Sequence, residues 1–223
     1  MSAVKIAPSL MCADFVNLRQ ELDLMKELGV DFLHVDIMDG HYVPNYGLGP
    51  EFCRRLVGYS PIPLDIHLMV EDPDTAVPWF AGLRGAQISI HPETSWHPLR
   101  TLELIRSQGA RAGIVLDPAL DLERVSLLLP YVSQVCVLGV NPGFVGQELL
   151  PGTMPRIAET ARLITERNLP VEIEVDGNVS WENISRMVAA GAQVLVAGTS
   201  SLYDKSQPLR NNLHRLLELV GRG

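Results

Sequence analysis

Lysine is nearly missing from this chain. Lys5, Lys26 and Lys205 are the only three in 223 residues. Lys5 begins an apolar run, Lys26 lies in a stretch of helical spacing and Lys205 lies beyond the last apolar run. None stands where a strand would end, so a Schiff-base mechanism has no candidate nucleophile. Cysteine is equally scarce: Cys12, Cys53 and Cys136 are odd in number, widely spaced and set among apolar residues. They form neither a disulfide framework nor a CxxC metal knuckle, and are read as buried free thiols of a reducing compartment. No run of Lys and Arg relieves the net charge of −8, which argues against nucleic acid and anionic membranes as partners. A small anionic ligand stays open, because backbone amides can hold a phosphate. No apolar stretch approaches the roughly 18–20 residues of a membrane span, and residues 1–14 hold no signal-like apolar block. The expectation is a mature cytoplasmic protein.

Apolar residues make up 47% of the chain, ample for the core of one domain over residues 1–223. Short apolar runs alternate with stretches of helical spacing eight times. Strands are predicted at 5–10, 32–37, 64–69, 86–90, 112–116, 134–140, 171–175 and 193–197. Helices are predicted at 14–28, 50–57, 73–81, 98–107, 120–129, 154–166, 181–190 and 209–219, the first with Asp14 as N-cap and Gly29 as stop. The helix-ending phrases ELGVDF, SQGARA and AAGAQV recur at the same junction. Eight βα units at this length predict an α/β protein, a single closed (β/α)8 TIM barrel. A doubly wound open sheet would carry a glycine fingerprint after the first strand; this chain has Ser9-Leu10-Met11-Cys12 there.

Barrels of this kind place their active sites at the C-terminal strand ends. Ser9, His34, Asp36, His67, His91, Asp117, Asn141 and Asp176 fall at those places, one or two per strand. Residues two apart in a strand share a face, so His34, Asp36 and Met38 point together, as do His67 and Met69. His34, Asp36, His67 and Asp176 form a plausible divalent metal set, and zinc, manganese, iron and cobalt all suit it. Asp36 and Asp176 come from different sides of a closed barrel, a geometry for removing a proton from one face of a carbon and returning one to the other. A metal beside the neighbouring oxygens would stabilise the enediolate between those steps. Glycines after strands 6, 7 and 8 (Gly143, Gly146, Gly177 and Gly198, with Thr199) suit a phosphate. Met38 and Met69 are read as an apolar cap over the reacting carbon, Met11 as plain packing, and His91 with Trp96-His97 as loop structure. A metal-dependent hydrolase and a non-catalytic sugar-phosphate binder are the rival readings.

The stretches IAPSL (6–10), HVDIMDGHYVPN (34–45), PLDIHLMV (63–70), VNPGFVGQ (140–147), EVDGN (174–178) and VAGTS (196–200) make the chain resemble the ribulose-phosphate 3-epimerase family over nearly its whole length. The resemblance implies a ribulose-phosphate-binding barrel that acts as an isomerase of the pentose phosphate pathway. It would interconvert D-ribulose 5-phosphate and D-xylulose 5-phosphate with one divalent metal ion and no organic cofactor. His34, Asp36, His67 and Asp176 would hold the metal, and Asp36 and Asp176 would be the acid–base pair. Ser9, His67, Gly143, Phe144, Val145, Gly146, Asp176, Gly177, Asn178, Gly198 and Thr199 would line the substrate and phosphate site. The family also implies a homo-oligomer, from dimer to hexamer. Three places depart from its pattern: Val145 and Asn178 stand where glycines are usual, and Leu138 where a methionine is. SLMC (9–12), HPET (91–94) and GTSSLY (198–203) look more like the branch acting on D-allulose 6-phosphate, which yields D-fructose 6-phosphate by the same chemistry.

Overall fold

The computed structural model describes residues 3–83 and 85–222. Eight strands are present: β1 (Lys5–Pro8), β2 (Leu33–Met38), β3 (Leu64–Met69), β4 (Gln87–Ile90), β5 (Arg111–Leu116), β6 (Gln134–Leu138), β7 (Glu172–Asp176) and β8 (Val194–Ala197). All neighbours pair in parallel, in the order β1-β8-β7-β6-β5-β4-β3-β2. The ring closes between β1 and β2, where Ser9 bridges to His34 and the Ile6 carbonyl accepts from the amides of Asp31 and Phe32 at 3.1 and 3.3 Å. This is the predicted (β/α)8 barrel.

The helices between the strands are α1 (Leu18–Leu28), α2 (Pro50–Tyr59), α3 (Pro73–Ala76), α4 (Pro98–Ser107), α5 (Leu122–Val125), α6 (Thr153–Glu166), α7 (Ile184–Ala190) and α8 (Leu209–Leu219). Prolines open α2, α3 and α4, where a missing N–H costs nothing. Gly29 ends α1 in the left-handed region, φ 72°. Asp14 is not the cap of α1. Its carboxylate accepts from the Val16 amide at 3.0 Å and from Asn17 Nδ2 at 2.8 Å, and that turn delays the helix to Leu18. The predicted helices at 73–81 and 120–129 shrink to single α-turns followed by 3-10 turns at Val77–Phe80 and Leu129–Tyr131. Pro78 and Pro130 sit inside those stretches and remove the amide a longer helix needs.

The strands are buried on both faces, as parallel sheets are. Val35, Ile66, Ile88, Ile114, Val137, Val175 and Leu195 face outward into the main core under the helices. The inward face differs: His34, Asp65, Gln87, Ser89, Gln134 and Glu174 are all buried polar groups. The barrel interior therefore carries a polar cluster beside apolar patches of Ala7, Val194 and Val196 and of Val115, Cys136 and Leu138, and it is narrow. A Cβ on Gly113 would stand 2.3 Å from Ser89 Oγ.

Candidate metal and proton-transfer site

The register of β2 with β3 sets Asp36 beside His67 and Met38 beside Met69. The ring nitrogens of His34 and His67 then converge with the carboxylates of Asp36 and Asp176 so that one ligand atom from each lies within 4.8 Å of the others. His34 Nε2 is 3.3 Å from Asp36 Oδ1 and 3.8 Å from Asp176 Oδ2. His67 Nδ1 is 3.4 and 3.6 Å from the same two oxygens. Both nitrogens are buried and neither has a hydrogen-bond partner. Buried polar atoms without partners are costly, and a cation at the centre of these four atoms would satisfy both at once. The donor set, two imidazoles and two carboxylates, fits a divalent transition metal.

The far side of each imidazole is fixed by its neighbours. Nδ1 of His34 lies 2.6 Å from Asp65 Oδ2, so it carries the proton and leaves the Nε2 lone pair facing inward. Gln134 Nε2 donates to the other Asp65 oxygen at 3.2 Å. Glu174, also buried, has its carboxyl pushed well above the usual range by burial and by the Asp65 charge. His67 Nε2 meets His91 Nε2 at 2.9 Å. Ser9 Oγ donates to Asp36 Oδ2 at 3.2 Å, so Asp36 turns one oxygen to the histidines and the other to Ser9. Burial alone would raise the Asp36 carboxyl, but the two histidines outweigh it and hold it well below the usual range.

Burial likewise opposes charge on His34 and His67, yet the neighbouring carboxylates prevail and raise both above the ordinary imidazole value. An incoming cation must displace those protons. The apparent affinity for a divalent ion is therefore expected to rise with pH, about tenfold per unit for each proton released. Chelator competition at a series of pH values measures it, and an affinity indifferent to pH would show that these imidazoles are not the ligands.

Above this cluster lies a cavity of about 210 Å³. Its wall includes Ser9, Asp36, Met38, His67, Met69, Gly143, Phe144, Val145, Gly146, Asp176, Gly177, Asn178, Gly198 and Thr199. Every residue expected at the substrate site is thus brought to one cavity, with His34 just beneath it. Met11 packs on the cluster of Met38, Val43 and Met69 as expected, and it lines the cavity as well. Leu138 lines it too, and so does Cys12, which is half-buried rather than buried. Burial pushes the Cys12 thiol up to about 11, so it stays protonated. Asn178 holds a left-handed backbone, φ 49°, which asparagine tolerates better than most residues. Its side chain is tethered to the protein: Nδ2 donates to the Gln147 carbonyl at 2.7 Å, and Oδ1 accepts from Asn183 at 2.9 Å. It ties the loops after β6 and β7 together. Asn45 Nδ2 donates to the Gly143 carbonyl at 2.7 Å, which joins the 39–49 loop to the same rim.

Sequence reasoning missed Asp65, His91, Glu174 and Gln134. Asp65 lies two residues before His67 and Glu174 two before Asp176, so the same-face rule that found the ligands could have found these. The sequence sets His91 at a strand end but marks it only as loop structure.

A profile of the ribulose-phosphate 3-epimerase family matches residues 5–202. Ribulose-phosphate 3-epimerase 2 of Cupriavidus necator is 40% identical over 222 residues, covering 97% of this chain and 92% of that protein. Ribulose-phosphate 3-epimerase of Escherichia coli K12 is 40% identical over 206 residues, covering 92% and 91%. Among solved structures, KGPDC of Streptococcus mutans superposes with a TM-score of 0.72 at 11% identity, covering 99% of each chain. A mutant tryptophan synthase alpha-subunit of Pyrococcus furiosus gives 0.68 at 14%, covering 99% and 100%. At such identities these two speak for the barrel alone.

Proposed function

Because the chain belongs to the ribulose-phosphate 3-epimerase family, we infer that its cavity interconverts D-ribulose 5-phosphate and D-xylulose 5-phosphate by moving a proton at C3. The observation that carries the mechanism is the pair of carboxylates. Asp36 on β2 and Asp176 on β7, separated around the ring by β1 and β8, turn one oxygen each toward the same two unpartnered imidazole nitrogens. A substrate carbon seated above that point has a carboxylate toward each face. One removes the C3 proton, and the other returns a proton to the opposite side. His34, Asp36, His67 and Asp176 would hold a divalent ion, which would supply positive charge to offset the charge developing on the sugar when the proton leaves. Ser9 orients Asp36 through its hydroxyl. Met11, Met38 and Met69 cover the reacting carbon and keep water from it. The backbone amides around Gly143, Gly146, Gly177, Gly198 and Thr199 grip the phosphate.

The five-carbon sugar is favoured over allulose 6-phosphate. The relatives are named for ribulose phosphate, and two of the stretches that suggested the longer sugar are occupied with supporting the cluster. Ser9 holds Asp36, and His91 holds His67. Val145 needs no positive φ, so its side chain sits on the rim without strain. The same reading extends to a homo-oligomer of the cytoplasm, from dimer to hexamer. Exposed Trp96 and Leu127, 94% and 74% accessible, support a covered face.

NMR of the metal-loaded protein in deuterated water tests the reaction. Deuterium is expected at C3 as xylulose 5-phosphate appears from ribulose 5-phosphate, with allulose 6-phosphate turned over more slowly. No change in either sugar with the ion bound would sink the assignment, and a faster reaction with allulose 6-phosphate would reverse the choice of sugar.

A further inference from the structure

We propose that His91, anchored by Glu93 and Tyr42, fixes the tautomer of His67 and so is a positioning residue for the metal. The proposal rests on the reading that His67 turns Nδ1 to an ion.

Two imidazole nitrogens 2.9 Å apart, His67 Nε2 and His91 Nε2, share one proton, and either ring could supply it. If His91 donates, a neutral His67 carries its own proton on Nδ1, aimed at the ion's place, and cannot ligate. If His67 donates, its Nδ1 lone pair is free. The choice is made one residue further out. His91 Nδ1 lies 3.1 Å from Glu93 Oε1 and 2.8 Å from the Tyr42 hydroxyl. Tyr42 in turn donates to the same Glu93 oxygen at 2.8 Å. A carboxylate only accepts, so Glu93 draws the Tyr42 hydrogen to itself and requires the His91 proton on Nδ1. Asp117, whose carboxylate comes within 4.8 Å of the ligand atoms of His91 and Glu93, adds negative charge on that side. His91 Nε2 is then an acceptor, His67 must donate to it, and the lone pair of His67 Nδ1 faces the cluster. His91 is fully buried, so water cannot take its place. Tyr42 belongs to the segment after β2 and His91 to the end of β4, which makes the orientation of a β3 ligand depend on both neighbouring strands.

The test is cobalt binding to the metal-free full chain, by chelator competition and by the visible absorption of the bound ion. His91→Phe removes the acceptor and is expected to weaken cobalt about 10–100-fold. His91→Gln, whose side-chain oxygen can accept from His67, is expected to restore most of that loss. Glu93→Gln replaces an acceptor with a group that can donate to His91 Nδ1, permits the wrong tautomer, and is expected to weaken cobalt without changing the melting temperature. Glu93 is partly exposed, so this variant keeps the test decisive if His91→Phe does not fold. Wild-type affinity in Glu93→Gln, or in a folded His91→Phe, overturns the proposal. Failure of the wild-type protein itself to bind cobalt overturns instead the reading of the metal site on which it rests.

Discussion

Asp36→Asn is expected to lower epimerisation about 10²–10⁴-fold while leaving one of the two sugars able to exchange its C3 hydrogen with solvent. On the proposed mechanism the two carboxylates serve opposite faces. With Asp36 neutralised, Asp176 still faces the cluster and removes the proton presented to its own side, but nothing returns one to the other face. Asp176→Asn is expected to give the mirror pattern, with exchange surviving in the other epimer. Deuterium uptake measured separately on each pure epimer reads the outcome. Cobalt affinity measured alongside shows whether the ion is kept, since His34, His67 and the remaining aspartate persist in either variant. If both variants silenced the same epimer and spared the same one, a single base would be doing the work and the two-face arrangement would be wrong.

Gly47→Ala is expected to cost about 1–3 kcal/mol of stability and to damage catalysis from a residue that touches no substrate. A Cβ there would lie 2.5 Å from the Asp36 carbonyl oxygen and 2.9 Å from the Met38 amide nitrogen. Both are backbone atoms of β2 and cannot swing aside as a side chain would. The segment is held against that strand by the Gly47 amide on the Met38 carbonyl at 3.3 Å and the Leu48 amide on the Asp36 carbonyl at 3.0 Å. An added methyl must push the strand end that aims Asp36 and Met38. A drop in melting temperature of about 3–10 °C, with loss of kcat, is the expected result. Gly58→Ala in α2 is the control. It has open space for a Cβ in the last turn of α2, where alanine suits a helix better than glycine. Equal behaviour of the two variants would show that the close approach at Gly47 carries no weight.

The barrel was legible because hydrophobic alternation repeats eight times, and the four residues of the His/Asp cluster because polar residues interrupt apolar strands near their ends. What stayed hidden depends on register or on through-space neighbours. Asp65 looks like half of a strand pattern until β2 and β3 are aligned and His34 Nδ1 falls on it. Glu174 and Gln134 acquire meaning only when the interior column closes around Asp65. His91 was visible at a strand end, but no spacing in the chain brings it near Tyr42, since that contact spans two loops from different strands. Asn178 lies on the cavity wall, yet its side-chain bonds to Gln147 and Asn183 cannot be read from a turn sequence. Gly47 gave no signal at all, because a glycine in a loop looks the same whether a neighbouring backbone is close or distant.

The seam between β1 and β2 bears on how the molecule is assembled. β1 emerges first during synthesis, but its regular strand partner is β8, Lys5 alongside Val194, near the other end of the chain. Such a long-range pairing meets its loop-closure cost late. His34, Asp36 and His67 sit on adjacent strands close in sequence, so most of the ligand set can form in a nascent half-barrel. Asp176 and the glycine loops that would hold the phosphate come only later, beyond residue 140. A truncated product would thus carry an incomplete His/Asp cluster with no opposing carboxylate, and on the proposed mechanism competence for the reaction arrives together with closure of the ring.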